Sequence, residues 1–392
     1  MTQKVMAKLF PVVALAFSLT AVSGVAQCPT AVVATGLQAP TKIIATSGDG
    51  LLIAEAGYGP NMGRISLLDP GTGQFRTIVD GLPSGFSPPN NDPTGPSGLG
   101  LQGNTLFVSI GLGDAIITGP IRGSQIANPT PSSQLFSSVL AFDLGRHGTV
   151  LNGGFTMTPA DQTTLKNSSN VNLHNANGDT TTVRVVADFP DYVPEPILGA
   201  LDNVRQSNPF GVAIIDNLLY VPDASSNSLR VVNLDTGAFQ TLTSFAPLPN
   251  SLFPFGPPVV EAVPNSIRRF GDGLFVTLFS GFPFPPGGAE VRAVDPATGN
   301  QASFITGLTA AIDMTPVKRN GNPSVLTLEF STDLLRQQPA PGRLSAYQSP
   351  YTTPTVIADC LITPTSMALD KAGSNVFVTE IFTGRIIKVT LP

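Results

Sequence analysis

Four acidic residues, Glu55, Asp223, Glu329 and Glu380, close short apolar runs that recur along the chain, the clearest being Leu51-Leu52-Ile53-Ala54. Carboxylates converging from different repeats would repel one another, raise each other's pKa, and need a cation or a basic partner. A second set follows turns that usually contain Pro or Asn: Thr41, Ser97, Asn208, Asn265, Asp313 and Thr365. Asn, Asp and Glu oxygens gathered from several elements suit a hard divalent cation such as Ca2+. The candidate metal ligands are therefore Asn208, Asn265 and Asp313 together with Glu55, Asp223, Glu329 and Glu380. A structural reading stands beside this one. Arg64, Arg343 and Arg385 each follow a glycine downstream of an acid in the same repeat, so each carboxylate can instead cap its own turn. The second set can likewise bond turn amides.

Other chemistry is thinly represented. The two histidines, His147 and His174, fall in one polar stretch away from the repeated strands. A quinone-dependent sugar dehydrogenase, which needs a histidine base over its cofactor, is therefore disfavoured, as is a His/Cys zinc site. No Gly-x-Ser-x-Gly elbow or phosphate-binding glycine loop accompanies a strand-to-helix pattern, and no catalytic residue is assigned. The segment Phe282-Pro283-Phe284-Pro285-Pro286, with Phe253-Pro254-Phe255 before it, is a rigid apolar cluster. Phe282, Phe284 and Pro285 are the candidate interaction surface, since proline limits the entropy lost on binding. The alternative is a loop packed over its own blade.

The elements that must position these residues form a repeat. Residues 50–83 read as three short strands separated by turns: a buried apolar run, an alternating run from Arg64 to Leu68, and Phe75 to Val79 after Asp69-Pro70-Gly71-Thr72-Gly73. Copies of the first run begin at Leu51, Leu106, Leu219, Leu274, Val325 and Val376, with steps of 55, 113, 55, 51 and 51 residues. The double step splits one repeat between Ser138 to Asp143 and Thr182 to Asp188, leaving an insertion at about 144–181. Val32 to Leu37 copies the closing strand of a repeat, whereas the last repeat, at Arg385 to Thr390, lacks one. The N-terminal strand is thus expected to join the last blade. The fold class is all-β, a six-bladed β-propeller that leaves no exposed sheet edge.

Composition agrees. Charged residues make up 12% of the chain, with 39 Gly and 37 Pro, which favours turns over long amphipathic helices. Residues 1–26 read as a signal peptide, with Lys4 and Lys8 before an apolar run and small residues after it. Residues 27–392 form one domain, secreted or periplasmic and monomeric, with no membrane span after signal removal. Loss of the two lysines moves the formal charge from −5 to −7, which argues against nucleic-acid partners. Export allows Cys28 and Cys360 to pair, but their repeat positions suggest opposite rims, so two separate thiols remain an alternative.

Three segments resemble the ScyD/ScyE family of exported propellers. They are Ser280 to Gly287, Ser207-Asn208-Pro209-Phe210-Gly211 followed by Leu219 to Ala224, and Gly95-Pro96-Ser97-Gly98 followed by Ile110 to Gly113. The resemblance covers nearly all of residues 27–392 and departs at Gly199 to Gln206. It implies a six-bladed, NHL-like propeller acting as a binding or accessory module for a small molecule or protein. The competing expectation is a divalent-metal-dependent lactonase or esterase of the gluconolactonase type, using Asn208, Asn265 and Asp313 with one repeat carboxylate.

Overall fold

Leu51–Glu55 is buried at every position, and Thr105–Ile110, Leu218–Asp223, Gly273–Leu278 and Asn375–Glu380 are buried beyond their first residue. A strand achieves this only when it is flanked within its own sheet and covered on both faces. The computed structural model, which describes residues 28, 30–145, 151–168, 170–319, 322–336 and 338–392, shows how. The signal segment and His147 lie outside the described residues.

Six sheets surround an axis. In the first blade, Pro40–Ala45, Leu51–Glu55, Gly63–Leu68 and Phe75–Leu82 pair antiparallel in chain order. The second to fifth blades start at Pro96–Gln102, Ala213–Ile215, Pro264–Phe270 and Ala311–Arg319. The sixth runs Pro364–Leu369, Asn375–Glu380, Arg385–Thr390, and is completed by Thr30–Ala34, with Thr30 opposite Val389. The chain's two ends thus close the ring.

The apolar core is divided among the six seams between blades. Ile43, Leu51, Ile53 and Phe377 pack where the last blade meets the first, and Ile312, Leu328, Met367 and Val378 where the fifth meets the sixth. Cys28 and Cys360 both border the latter cluster and form a disulfide, with α-carbons 6.1 Å apart. The opposite-rim expectation fails because Thr355–Leu361, the outer strand of the fifth blade, brings Cys360 to the seam that Cys28 also reaches.

The second blade is interrupted between Ser138–Asp143 and Thr180–Asp188, which nevertheless pair antiparallel. Within the interruption Phe155–Thr156 adds a parallel strand to the first blade and Asn170–His174 adds an edge strand to the second. Between them lies the helix Pro159–Ser168. Thr158 and Asp161 cap it reciprocally, and proline occupies the first turn, where its missing N–H costs nothing. His174 is exposed, with Nδ1 2.9 Å from Thr180 Oγ1. No helix among the described residues is long and apolar enough to cross a membrane.

One backbone contact repeats six times and fixes the register of the inner strands. The N–H after each second strand donates to a carbonyl in the entry turn of the same blade's inner strand: Ala56 to Ala39, Gly111 to Gly95, Ala224 to Asn208, Phe279 to Val263, Phe330 to Ala310, and Ile381 to Thr363. Ala39, Val263, Ala310 and Thr363 have φ near +50°. A side chain is strained there, doubly so for β-branched Val263 and Thr363, and the repeated bond holds the turn.

Candidate functional site

These entry turns correct the expected ring of cation ligands. Asn208 occupies the position of Ala39, one residue before the strand, and Pro209 pairs with Asp223 as Pro40 does with Glu55. Thr41, Ser97, Asn265, Ile312 and Thr365 sit one residue after the strand's first, in a bulge of the ladder, and Phe210 fills the same place after Pro209. Asp313 lies one residue further on. The bulge had hidden the offsets: Asn208, Asn265 and Asp313 occupy three different positions and do not form one ring.

The bulge residues tie blades together. Thr41 Oγ1 donates to Pro96 O at 2.6 Å, Ser97 Oγ to Pro209 O at 2.8 Å, Asn265 Nδ2 to Ala311 O at 3.1 Å, and Thr365 Oγ1 to Pro40 O at 2.9 Å. Each crosses to the next blade's inner strand. Asn265 Oδ1 is further engaged by Thr277 Oγ1 and Ser266 N.

The next residue along each inner strand reaches the axis: Lys42, Gly98, Gly211, Ser266, Asp313 and Ser366. A Cβ on Gly98 would lie 2.5 Å from Phe210 O, and one on Gly211 2.8 Å from Asn265 O, so these strands approach closely only because both are glycine. Lys42 crosses the axis to Ser266 Oγ at 2.9 Å and Asp313 Oδ2 at 3.3 Å. Asp313 also accepts from Arg268 at 2.7 Å, Ser266 Oγ at 2.5 Å, Ser366 Oγ at 2.8 Å, and the amides of Met314 and Met367. Burial alone would raise this carboxyl, but Arg268 and Lys42 hold it well below the usual range. Burial, with Arg268 beside it, pulls the Lys42 ammonium down to about 8 against the opposing pull of Asp313. Asp313 is a fully satisfied anion whose partners are cations, hydroxyls and backbone amides.

The four strand-end carboxylates are held by their own blades. Glu55 accepts Gln38 N at 2.5 Å and pairs with Arg64 at 2.7 Å. Asp223 accepts Asn208 N at 2.9 Å and pairs with Arg230 at 2.6 Å. Glu380 accepts Ile362 N at 2.6 Å and pairs with Arg385 at 2.6 Å. Each pins the entry turn of its own inner strand. Glu329 accepts Thr309 N at 2.7 Å, while Arg343 acts on it only through space, its Nε buried without a partner. Burial pushes the Glu329 carboxyl up, and these two interactions only partly offset that. Among the described residues no three His, Cys, Asp or Glu side chains are grouped to hold a metal ion.

Above the bulge ring opens a cavity of about 700 Å³. Thr41, Ser97, Phe210, Ile312 and Thr365 line its floor, and Phe279, Phe284, Phe330 and Phe382 its walls. Where Thr, Ser and Asn tie blades together, Phe210 and Ile312 cannot, and their apolar groups face the cavity instead. The volume and the mainly apolar lining are those of a small-molecule pocket. A hairpin, Gly85–Ser87 with Asp92–Thr94, contributes Asn90, Asp92, Pro93 and Thr94 at the mouth.

The expected apolar surface is divided between this cavity and solvent. Phe282 is 59% exposed, Phe284 is half-buried in the cavity wall, and Pro285 is buried, packed so closely on Gly288 that a Cβ there would lie 2.6 Å from its ring. Pro285 is therefore not part of an interaction surface. Ring centroids run Phe255–Phe282 at 5.9 Å, Phe282–Phe284 at 6.0 Å, Phe284–Phe279 at 6.1 Å and Phe279–Phe330 at 5.9 Å. An edge-on series of phenylalanines thus leads from solvent into the cavity.

Sequence reasoning missed Lys42, Ser266, Arg268 and Ser366, and it missed the cavity. The signal was present in Pro40-Thr41-Lys42, Pro96-Ser97-Gly98, Pro209-Phe210-Gly211, Pro264-Asn265-Ser266 and Pro364-Thr365-Ser366. Aligned on proline, the third residues give five of the axial positions.

No protein-family model matches the chain, and no curated protein sequence matches it. Among solved structures it is similar to a chain of a nidogen/laminin complex, at 11% identity, covering 88% of this chain and 94% of that one, with a TM-score of 0.41. It is also similar to Trypanosoma rangeli sialidase bound to 2,3-difluorosialic acid, at 8% identity, covering 91% of this chain and 54% of that one, with a TM-score of 0.49. The chain spans about half the sialidase's length. Likenesses this distant carry nothing about its chemistry.

Proposed function

We propose that this propeller is a non-catalytic binding module, an exported accessory protein of the ScyD/ScyE kind, whose axial mouth takes an apolar small molecule. The observation that carries this reading is the cavity of about 700 Å³ with five phenylalanines in its lining. Ligand pockets are mostly apolar, largely preformed hollows of this size. The disulfide between Cys28 and Cys360 supports export, since such bonds persist in oxidising compartments. The metal-dependent hydrolase alternative draws no support from the carboxylates: Glu55, Asp223 and Glu380 are paired with arginines, and Asp313 with Lys42 and Arg268.

Elemental analysis with a thermal melt in chelator, alongside titration with the neutral fluorophore N-phenyl-1-naphthylamine, separates the two. Saturable fluorophore binding and a melt indifferent to chelator and added calcium support the binding module. A stoichiometric divalent ion whose removal lowers the melting temperature, without fluorophore binding, overturns it in favour of the hydrolase.

A further inference from the structure

Among the described residues, Asp92 is the one charged residue in the cavity lining. It stands on the second strand of the mouth hairpin, exposed as a residue at the rim, and takes part in none of the described ion pairs. That sets it apart from Glu55, Asp223 and Glu380, each of which has its own arginine. The hairpin is anchored: Thr94 Oγ1 donates to Gly113 O at 3.2 Å, and Ser132 Oγ to Ser84 O at 3.2 Å. Desolvation pushes the Asp92 carboxyl above its ordinary value, and only a hydrogen bond from Asn90 opposes this. A cation brought to this carboxylate would relieve that penalty.

The walls suit the same charge. The ring faces of Phe279, Phe284 and Phe330 carry negative charge density, so the walls favour a positively charged ligand over an anion. Among the described residues no lysine or arginine lines the cavity to receive an anion. Thr363 Oγ1, also in the lining, is buried without a hydrogen-bond partner, and offers a neutral polar contact.

Building on the binding-module reading, we propose that the cavity's ligand is an organic cation, an apolar or aromatic body bearing an ammonium-type nitrogen that pairs with Asp92. The body lies against the phenylalanines and the cationic nitrogen faces the hairpin. Asp92 is then the residue that selects for charge.

Isothermal titration with phenethyltrimethylammonium and its neutral carbon isostere, (3,3-dimethylbutyl)benzene, tests this. The cation is expected to bind at least tenfold tighter than the isostere. Asp92→Asn is expected to abolish that preference while leaving the isostere's affinity and the melting temperature unchanged. Equal affinities in the wild type, or a preference that survives in Asp92→Asn, overturn the charge assignment; if N-phenyl-1-naphthylamine still binds, the cavity reading stands without it. Failure of the fluorophore and both probes to bind overturns the cavity reading and this inference together.

Discussion

Lys42 Nζ in the first blade lies 3.3 Å from Asp313 Oδ2 in the fifth, 271 residues away, and both side chains are almost wholly buried. With Arg268, Ser266 and Ser366 they fill the axis beneath the cavity floor, joining blades one, four, five and six through one carboxylate. The cavity above is therefore closed at its base by a charged, hydrogen-bonded cluster.

Asp313→Asn leaves Lys42 and Arg268 facing each other without an anion. Removing one partner of a buried ion pair costs about 3–5 kcal/mol. Chemical denaturation is expected to show a loss of that order, and adding Lys42→Met should restore part of it. A loss below about 1 kcal/mol would mean the cluster is solvated rather than buried.

The same cluster gives stability a pH signature. The folded-state Asp313 carboxyl titrates well below its unfolded value of about 3.9, so its contribution is complete above that pH and is lost as pH falls below it. Lys42 acts in the other window. Its folded pKa of about 8 lies under the ordinary lysine value of 10.5, so the unfolded chain binds more protons between them and stability rises with pH across that interval. Melting temperatures relative to Lys42→Met should rise from pH 8 to pH 10. A flat difference would contradict the burial of the ammonium.

Glu380→Gln and Glu329→Gln should differ. Glu380 holds Arg385 and the Ile362 amide, and its loss leaves a partly buried guanidinium unpaired. A cost of about 2–3 kcal/mol is expected, the worth of hydrogen bonds to a charged group plus desolvation. Burial raises the Glu329 carboxyl, so ionisation there opposes folding above its unfolded pKa. Its replacement by Gln should cost under about 1 kcal/mol, a neutral amide exchanged for a poorly paired charge. Urea midpoints of the two variants decide the matter, and equal losses would show that Arg343 closes on Glu329 in solution.

The disulfide spans 332 residues of sequence and fastens the seam between the fifth and sixth blades, beside the N-terminal strand that completes the ring. Reduction, or Cys360→Ala, should cost about 2–4 kcal/mol. Mass spectrometry of a non-reduced digest should recover the two cysteines in one linked peptide pair, and separate thiol peptides would contradict the bridge.

How much of this was legible follows from what each residue contributes. The buried runs ending at Glu55, Asp223, Glu329 and Glu380 show in the sequence because a strand covered on both faces must be apolar throughout. Ring closure shows because Val32 to Leu37 repeats the end of another blade. The role of the carboxylates was open between a cation site and local capping, and Arg64 and Arg385 decide for capping through contacts of 2.7 and 2.6 Å. The axial cluster stayed hidden because a bulge shifts the inner strand by one residue, carrying Asp313 to the axis, whereas Asn208 belongs to the entry turn before the strand. The cavity stayed hidden because Phe210, Phe279, Phe330 and Phe382 come from four blades and look like ordinary core residues when read singly.

The central claim, that the axial mouth holds an apolar molecule, is tested most directly by titrating N-phenyl-1-naphthylamine into the protein and into Leu334→Trp. Leu334 lies half-buried on the cavity wall, and the chain has no native tryptophan, so the new indole both fills the space and reports on it. Saturable one-to-one binding to the wild type, lost in Leu334→Trp at an unchanged melting temperature, is the predicted result. No saturable binding, or equal binding to both proteins, would contradict the claim.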